Sequence, residues 1–207
     1  MPKVVDWDKR RDEVLAATWR VIARHGLAGT TVRKIAREAG YSAGVLAHYF
    51  SDKQDILGSA LVLSHRRVGE RMDRSAAGLA GAAALRVVML EALPLDSQRL
   101  LEAEIEVSFW GRSLGSPELA ALQNAEFEKL WSRLRALLLD AQRLGELAAG
   151  VDIEEATHRL VALIDGLSVE AVLYPARVPP DRQVALLDQL LHDFSSPPLH
   201  PARTLAE

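Results

Sequence analysis

Residues 31–53 read TVRKIAREAGYSAGVLAHYFSDK, and a few small and aliphatic positions in that stretch decide the fold. Ala36 lets two helices cross closely, Gly40 turns the chain, and Leu46 pins the second helix to the first. Thr30-Thr31 can cap a helix from Val32 to Ala39, and Ser42 can cap another to about His48. Ser51 with Gln54 three residues on makes a capping box for a longer helix. The stretch therefore predicts a short helix, a glycine turn, a second short helix and a capped entry into a third.

Helical signals continue on both sides. Upstream, Leu15, Trp19 and Ile22 recur at i, i+4, i+7 before a His25-Gly26 stop. Downstream, the long helix should reach about Arg74, with a break at Gly78–Gly81. Helices are expected at 82–92, 97–113 and 118–143, the last opened by Ser116-Pro117. Another starts at an Asp152/Glu155 capping box and ends before Pro175, and 181–194 completes about nine. No segment keeps a period-two alternation, so the fold class is all-α. The domain reading is 8–68, then 69–195, then a loose proline-rich tail at 196–207 with Pro197, Pro198 and Pro201.

Composition narrows the chemistry. With 49% hydrophobic and 26% charged residues the chain reads as a soluble globular protein. It has no cysteine, which excludes disulfides, iron–sulfur clusters and thiolate metal sites. Met1–Lys9 lacks the apolar core of a secretory signal, and the apolar run Ala76–Leu85 is too short to span a bilayer. The expectation is a cytoplasmic protein with no membrane partner. Its six histidines show no metal-ligand spacing, so no metal and no cofactor are expected. Charge is unevenly spread: the first 74 residues carry 14 Lys and Arg against 9 Asp and Glu, the rest 11 against 19. A basic head on an acidic body points to a polyanion held at one end.

A helix-turn-helix places its second helix in the major groove of DNA. Here Leu46, Phe50 and Ile35 should face inward, leaving Ala43, Gly44, Ala47 and His48 toward the bases. Gly44 lowers helix stability by about 1 kcal/mol relative to alanine, which a close approach of backbone to DNA would explain. Ala43 and Ala47 carry only methyls, suited to a thymine methyl. Arg33 has the reach to pair with a guanine. Thr31, Ser42, Tyr49 and Lys53 are placed for phosphates.

The segment resembles the DNA-binding domain of the TetR family of one-component bacterial regulators, through Ala36, Gly40, His48-Tyr49-Phe50 and Lys53. The resemblance covers residues 10–60. It departs at Ala47, where the family's tyrosine is usual, so Tyr49 is left with more of the phosphate role. LPLDSQRLLEAEIEVSFWGRSLGSPELAAL at 93–122 and LVALIDGLSVEAVLYP at 160–175 are similar to the subgroup of the choline-responsive repressor of betaine synthesis. The resemblance implies a homodimeric repressor with no enzymatic activity. It would bind a palindromic operator on double-stranded DNA and be released by a small-molecule effector in a C-terminal ligand-binding and dimerisation bundle.

For dimerisation, Leu160, Leu163, Ile164, Gly166, Leu167 and Ala171 line up on one helix, and Leu187, Leu190, Leu191 and Phe194 on the next. For the effector, Glu106, Phe109, Trp110, Phe127, Trp131 and Tyr174 are the candidate lining. Acidic plus aromatic groups would suit a quaternary ammonium, whereas aromatics at helical spacing equally suit a core.

Two other readings compete. Gly40-Tyr41-Ser42-Ala43-Gly44 fits the G-x-S-x-G nucleophile elbow, with Asp165 and His192 in triad order. That elbow needs a preceding strand and a parallel sheet, and IAREA before it is helical, so the hydrolase is rejected. A helical protein-binding adaptor without DNA affinity would differ in showing no salt-dependent DNA binding.

Overall fold

The structure, a computed structural model, describes Trp7–Ser195. The expected proline-rich tail at 196–207 lies outside these residues. Among the described residues there are nine α-helices and no strand. They are α1 (Trp7–Gly29), α2 (Val32–Ala39), α3 (Ala43–Leu46), α4 (Lys53–Ala76) and α5 (Gly81–Ala92). There follow α6 (Ser97–Ser113), α7 (Pro117–Arg143), α8 (Ile153–Leu173) and α9 (Pro180–Ser195). None is long and apolar enough to cross a membrane.

Helix ends follow their local chemistry. Pro117 occupies the first position of α7, where its missing N–H is no loss. Asp152 accepts the N–H groups of Glu154 and Glu155 at the start of α8. At Gly26 the backbone turns to φ 64, ψ 170 and interrupts the helix at the expected His25-Gly26 stop, beyond which a last short piece runs to Gly29. The cap of α4 is shifted by one residue from the expected Ser51/Gln54 box. Asp52 Oδ1 accepts the Asp55 N–H at 2.9 Å, and Asp55 Oδ2 accepts the Ser51 N–H at 2.9 Å. Carboxylates are the stronger acceptors at a helix N-terminus, and Gln54 is left to accept a bond from Arg112.

The chain forms two compact units, and the division does not follow the expected 68/69 boundary throughout. The first unit runs to Gly69 and includes Glu104–Ala121; the second is Glu70–Ala103 with Leu122 onward. Within the first unit the second half of α6 is tied to α4: His65 Nε2 lies 2.9 Å from Glu106 Oε2, and Arg112 donates to Gln54. A linear boundary cannot express this, because α4 and α6 are each continuous helices that contribute to both units.

The core of the first unit gathers Val14, Ala17 and Val21 of α1, Ile35 and Ala36 of α2, Leu46, Phe50, and Ile56, Leu57 and Ala60 of α4. Full burial of each large aliphatic residue stabilises the fold by roughly 1.5–3 kcal/mol. Trp19 joins them, its indole N–H donating to the Ala60 carbonyl at 3.2 Å.

In the second unit α9 packs on α5 and α8. Leu85, Met89, Leu134, Leu138, Leu160, Ile164, Leu167, Ala171, Leu187 and Phe194 are buried there. Six of the residues expected at a dimer interface, Leu160, Ile164, Leu167, Ala171, Leu187 and Phe194, are thus buried within the single chain. An apolar stripe at helical spacing marks a buried face without saying which chain covers it. Leu163, Leu190 and Leu191 are half-buried and Gly166 is exposed, so these four remain accessible.

Candidate DNA-binding interface

The short helices owe their geometry to local hydrogen bonds. Thr31 Oγ1 accepts the Lys34 N–H at 3.3 Å and starts α2. Gly40 sits at φ 75, ψ 24, and the N–H groups of Gly40 and Tyr41 return to the carbonyls of Arg37 and Ala36 at 3.3 and 2.9 Å. This is a Schellman end, and a β-carbon at that positive φ would strain it. Ser42 Oγ accepts the Val45 N–H at 3.3 Å and starts α3. The hydroxyl of the G-x-S-x-G motif is therefore a helix cap, and the residues before it are helix α2 rather than a strand.

Beyond Leu46 the chain continues in tight turns, with Tyr49 N–H on the Leu46 carbonyl at 2.9 Å and Phe50 N–H on it at 3.0 Å. Only one side of α3 is anchored: Leu46, Phe50 and Ile35 are buried, as their spacing predicts. The other side carries Ser42, Ala43, Gly44, Ala47 and His48, all exposed. A β-carbon on Gly44 would meet nothing nearer than Ser42 Oγ at 3.8 Å, so no packing inside the chain requires glycine there.

The cations have distinct settings. Arg33 is exposed on α2, and among the described residues its guanidinium has no hydrogen bond or ion pair. Lys34 donates to the Gly29 carbonyl at 2.8 Å. Glu38, the acid of α2, is held by Arg24 and Arg20 of α1 at 2.7 Å each. Hydrogen bonds from Arg24 and then Arg20 pull its pKa down to about 2. Thr31 is exposed with its hydroxyl used as a cap, whereas Tyr49 and Lys53 are half-buried.

Tyr49 has surroundings that the spacing did not reveal. Trp7 lies against its ring, tilted by 51° with centroids 4.7 Å apart, and Arg11 Nη1 donates to its carbonyl at 2.8 Å. The Arg10-Arg11 pair at the start of α1 was the available sequence signal, but its partner lies 38 residues away.

The residues considered for an effector are divided between the two units. In the first unit Glu106 Oε1 accepts from the Trp110 indole at 2.9 Å, and Phe109 is fully buried. In the second, Phe127 and Trp131 stack at 5.8 Å, with His158 against Trp131 at 6.2 Å. Tyr174 does not join that pair. It is half-exposed at the end of α8, with Arg177 over its ring at 5.4 Å. Phe109 is thus core and Tyr174 surface, because aromatic spacing along one helix does not report what packs against it.

A capped α2, a Schellman turn and a short α3 anchored on one side only define a helix-turn-helix DNA-binding protein. Residues 14–60 match the model for bacterial regulatory proteins of the tetR family, and residues 81–195 match that for the C-terminal domain of BetI-type transcriptional repressors. The chain belongs to the TetR family of transcriptional regulators, with a BetI-type C-terminal domain. It is 36% identical over 185 residues to the HTH-type transcriptional regulator PksA of Bacillus subtilis, covering 88% of each chain. It is 34% identical over 198 residues to BetI of Burkholderia thailandensis, covering 94% of this chain and 95% of that one. A transcriptional regulator from Saccharomonospora viridis, solved in complex with choline, superposes with a TM-score of 0.83 at 25% identity, over 89% of this chain and 96% of that one. The family is one of regulators rather than enzymes.

Proposed function

We propose that this regulator is a homodimeric repressor that grips a palindromic operator with two heads and releases it when a small molecule enters the C-terminal domain. The observation that carries the reading is the open side of α3. Ala43, Gly44, Ala47 and His48 are exposed on a helix whose other side is fixed by Leu46 and Phe50, with exposed Arg33 on the preceding helix. Arg33 would read a guanine edge, the two alanines thymine methyls, and Thr31, Ser42, Tyr49 and Lys53 the phosphates. Its place of action is the cytoplasm, where bacterial DNA lies.

For dimerisation the accessible face of α8 is His158, Ala162, Gly166, Glu170 and Leu173, bordered by half-buried Leu163 and Val169. A β-carbon at Gly166 would meet nothing within 4 Å, which leaves room for a partner helix to approach. Half-buried Leu186, Leu190 and Leu191 would extend the face along α9.

For the effector, the choline complex of the Saccharomonospora viridis protein supports a quaternary ammonium. Stacked Phe127 and Trp131, and separately Glu106 with Trp110, are the groups with suitable chemistry.

Footprinting on the region upstream of the chain's own gene tests the reading. Protection of an inverted repeat, lost on adding choline or a related amine, is the expected result. Affinity should fall steeply with salt, with a log–log slope near −5 if about six phosphates are neutralised per dimer. A flat salt dependence, or no binding, would favour an adaptor that acts on protein alone. Gly166→Arg should yield folded monomers by sedimentation; an unchanged dimer would move the interface elsewhere.

A further inference from the structure

The N-terminal end of a reading helix is the part that meets base edges. In α3 that end has no apolar anchor of its own. Ser42, Ala43 and Gly44 are exposed and Val45 is half-buried, so the first buried side chain is Leu46, at the far end. A four-residue helix pinned at one end can tilt about its pin.

Tyr41 holds the free end, although in the sequence it stands only as a variable position of G-x-S-x-G. It lies half-buried in the turn between α2 and α3, and its hydroxyl donates to Glu13 Oε2 of α1 at 2.7 Å. The carboxylate holds the phenol above its ordinary pKa. Glu13 is a rigid post, because its neighbours Val14 and Leu15 are buried in the core of the unit. Arg20 and Arg24 on Glu38 further join α1 to α2.

Among the described residues, the other hydrogen bonds made by residues 40–45 are local. The N–H groups of Gly40 and Tyr41 return to Arg37 and Ala36, and that of Val45 to Ser42. These bonds shape the turn without setting its distance from α1. The Tyr41–Glu13 bond sets that distance, and an ionised acceptor makes it stronger than a neutral one. Because the pair faces solvent, losing it costs the fold little; its effect falls on where α3 sits.

We propose that Tyr41 and Glu13 are a positioning pair that fixes the N-terminal end of α3 against α1 and so sharpens the choice of operator over other DNA. The proposal rests on the DNA-binding reading and adds to it two residues that act through α3 rather than by touching a base.

The test compares a duplex that the wild-type chain enriches from a randomised library with a scrambled duplex of equal length and composition. Both are titrated by anisotropy at one salt concentration. Tyr41→Phe keeps the ring and removes the bond. It should weaken binding to the enriched duplex about three- to tenfold and leave the scrambled one unchanged, with Tm unmoved. Glu13→Ala should lower the ratio of the two affinities in the same way and have no further effect on it in Tyr41→Phe. Glu13→Gln still accepts from the phenol, so it should keep the wild-type ratio while the lost negative charge strengthens binding to both duplexes alike. A wild-type ratio in Tyr41→Phe overturns the positioning role and leaves DNA binding intact. Equal weakening on both duplexes overturns it as well, since the bond then serves the fold and not base reading. Additive losses of the ratio in the double variant show two residues acting apart and overturn the pair. Enrichment of no duplex by the wild-type chain overturns the DNA reading and the pair together.

Discussion

Arg71 and Glu102 face each other as a two-bond fork, with Nη1–Oε1 at 2.8 Å and Nη2–Oε2 at 2.5 Å and the Glu102 residue only 7% exposed. Arg71 also meets Glu91 at 3.3 Å, and Glu91 accepts the Ser75 hydroxyl at 2.9 Å. One guanidinium thereby joins α4, α5 and α6 within the second unit. Arg71→Ala should lower stability by about 3 kcal/mol, because it strands a buried carboxylate. Pairing Arg71→Met with Glu102→Leu should recover most of the loss. Urea unfolding of the two variants checks this, and equal losses would show that the pair itself is strongly net-stabilising.

The Glu38 carboxylate carries a pH prediction. Its pKa falls from 4.5 to about 2 through Arg24 and Arg20. The contribution it makes to stability is therefore present above the ordinary carboxylate value and is lost as pH falls toward 2. Carbon-detected NMR titration should place the Glu38 midpoint near 2, and Arg24→Ala should move it upward. An unmoved midpoint would mean that Arg20 alone sets it.

Gly81 and Gly111 should respond in opposite directions to alanine. At Gly81 φ is +54, and a β-carbon would fall 2.1 Å from Glu146 Oε2. That carboxylate accepts the Ala82 N–H at 2.7 Å, and Asp140 accepts the Gly81 N–H at 2.8 Å. The two acids cap α5, whose N-cap Ala80 supplies no side-chain bond. Gly81→Ala should therefore destabilise by about 1–2 kcal/mol. Gly111, inside α6 with open space around it, should gain about 0.5–1 kcal/mol on becoming alanine. Thermal unfolding separates the two, and a stabilised Gly81→Ala would show that the capping carboxylates are dispensable.

Arg33→Ala should weaken operator binding by about 1–3 kcal/mol and relax preference at one base position. Lys53→Ala should weaken all sequences alike and flatten the salt slope by about one per head. Selection from a randomised duplex library, with salt titration, distinguishes them. A uniform loss for Arg33→Ala would make it a phosphate contact.

Several elements were legible from neighbouring residues because their physics is local. Thr31, Ser42 and Asp152 cap the helices they precede, Gly40 takes the left-handed turn, and Pro117 opens α7. The α4 cap passed to Asp52 and Asp55 because two carboxylates compete better for N–H groups than serine and glutamine do. The open side of α3 followed from Leu46 and Phe50, whose burial leaves Ala43, Gly44, Ala47 and His48 no place but the outside.

By itself, then, the amino-acid order determined the helices, their caps, the helix-turn-helix and its family, since these depend on contacts a few positions apart. Tertiary structure decided what distant residues do to one another. It assigned Leu160, Ile164 and Leu187 to the chain's own core, Phe127 to Trp131 and His158, and the first turn of α1 to Tyr49. Helical periodicity records that a face is covered, and only the packing of helices distant in sequence selects what covers it.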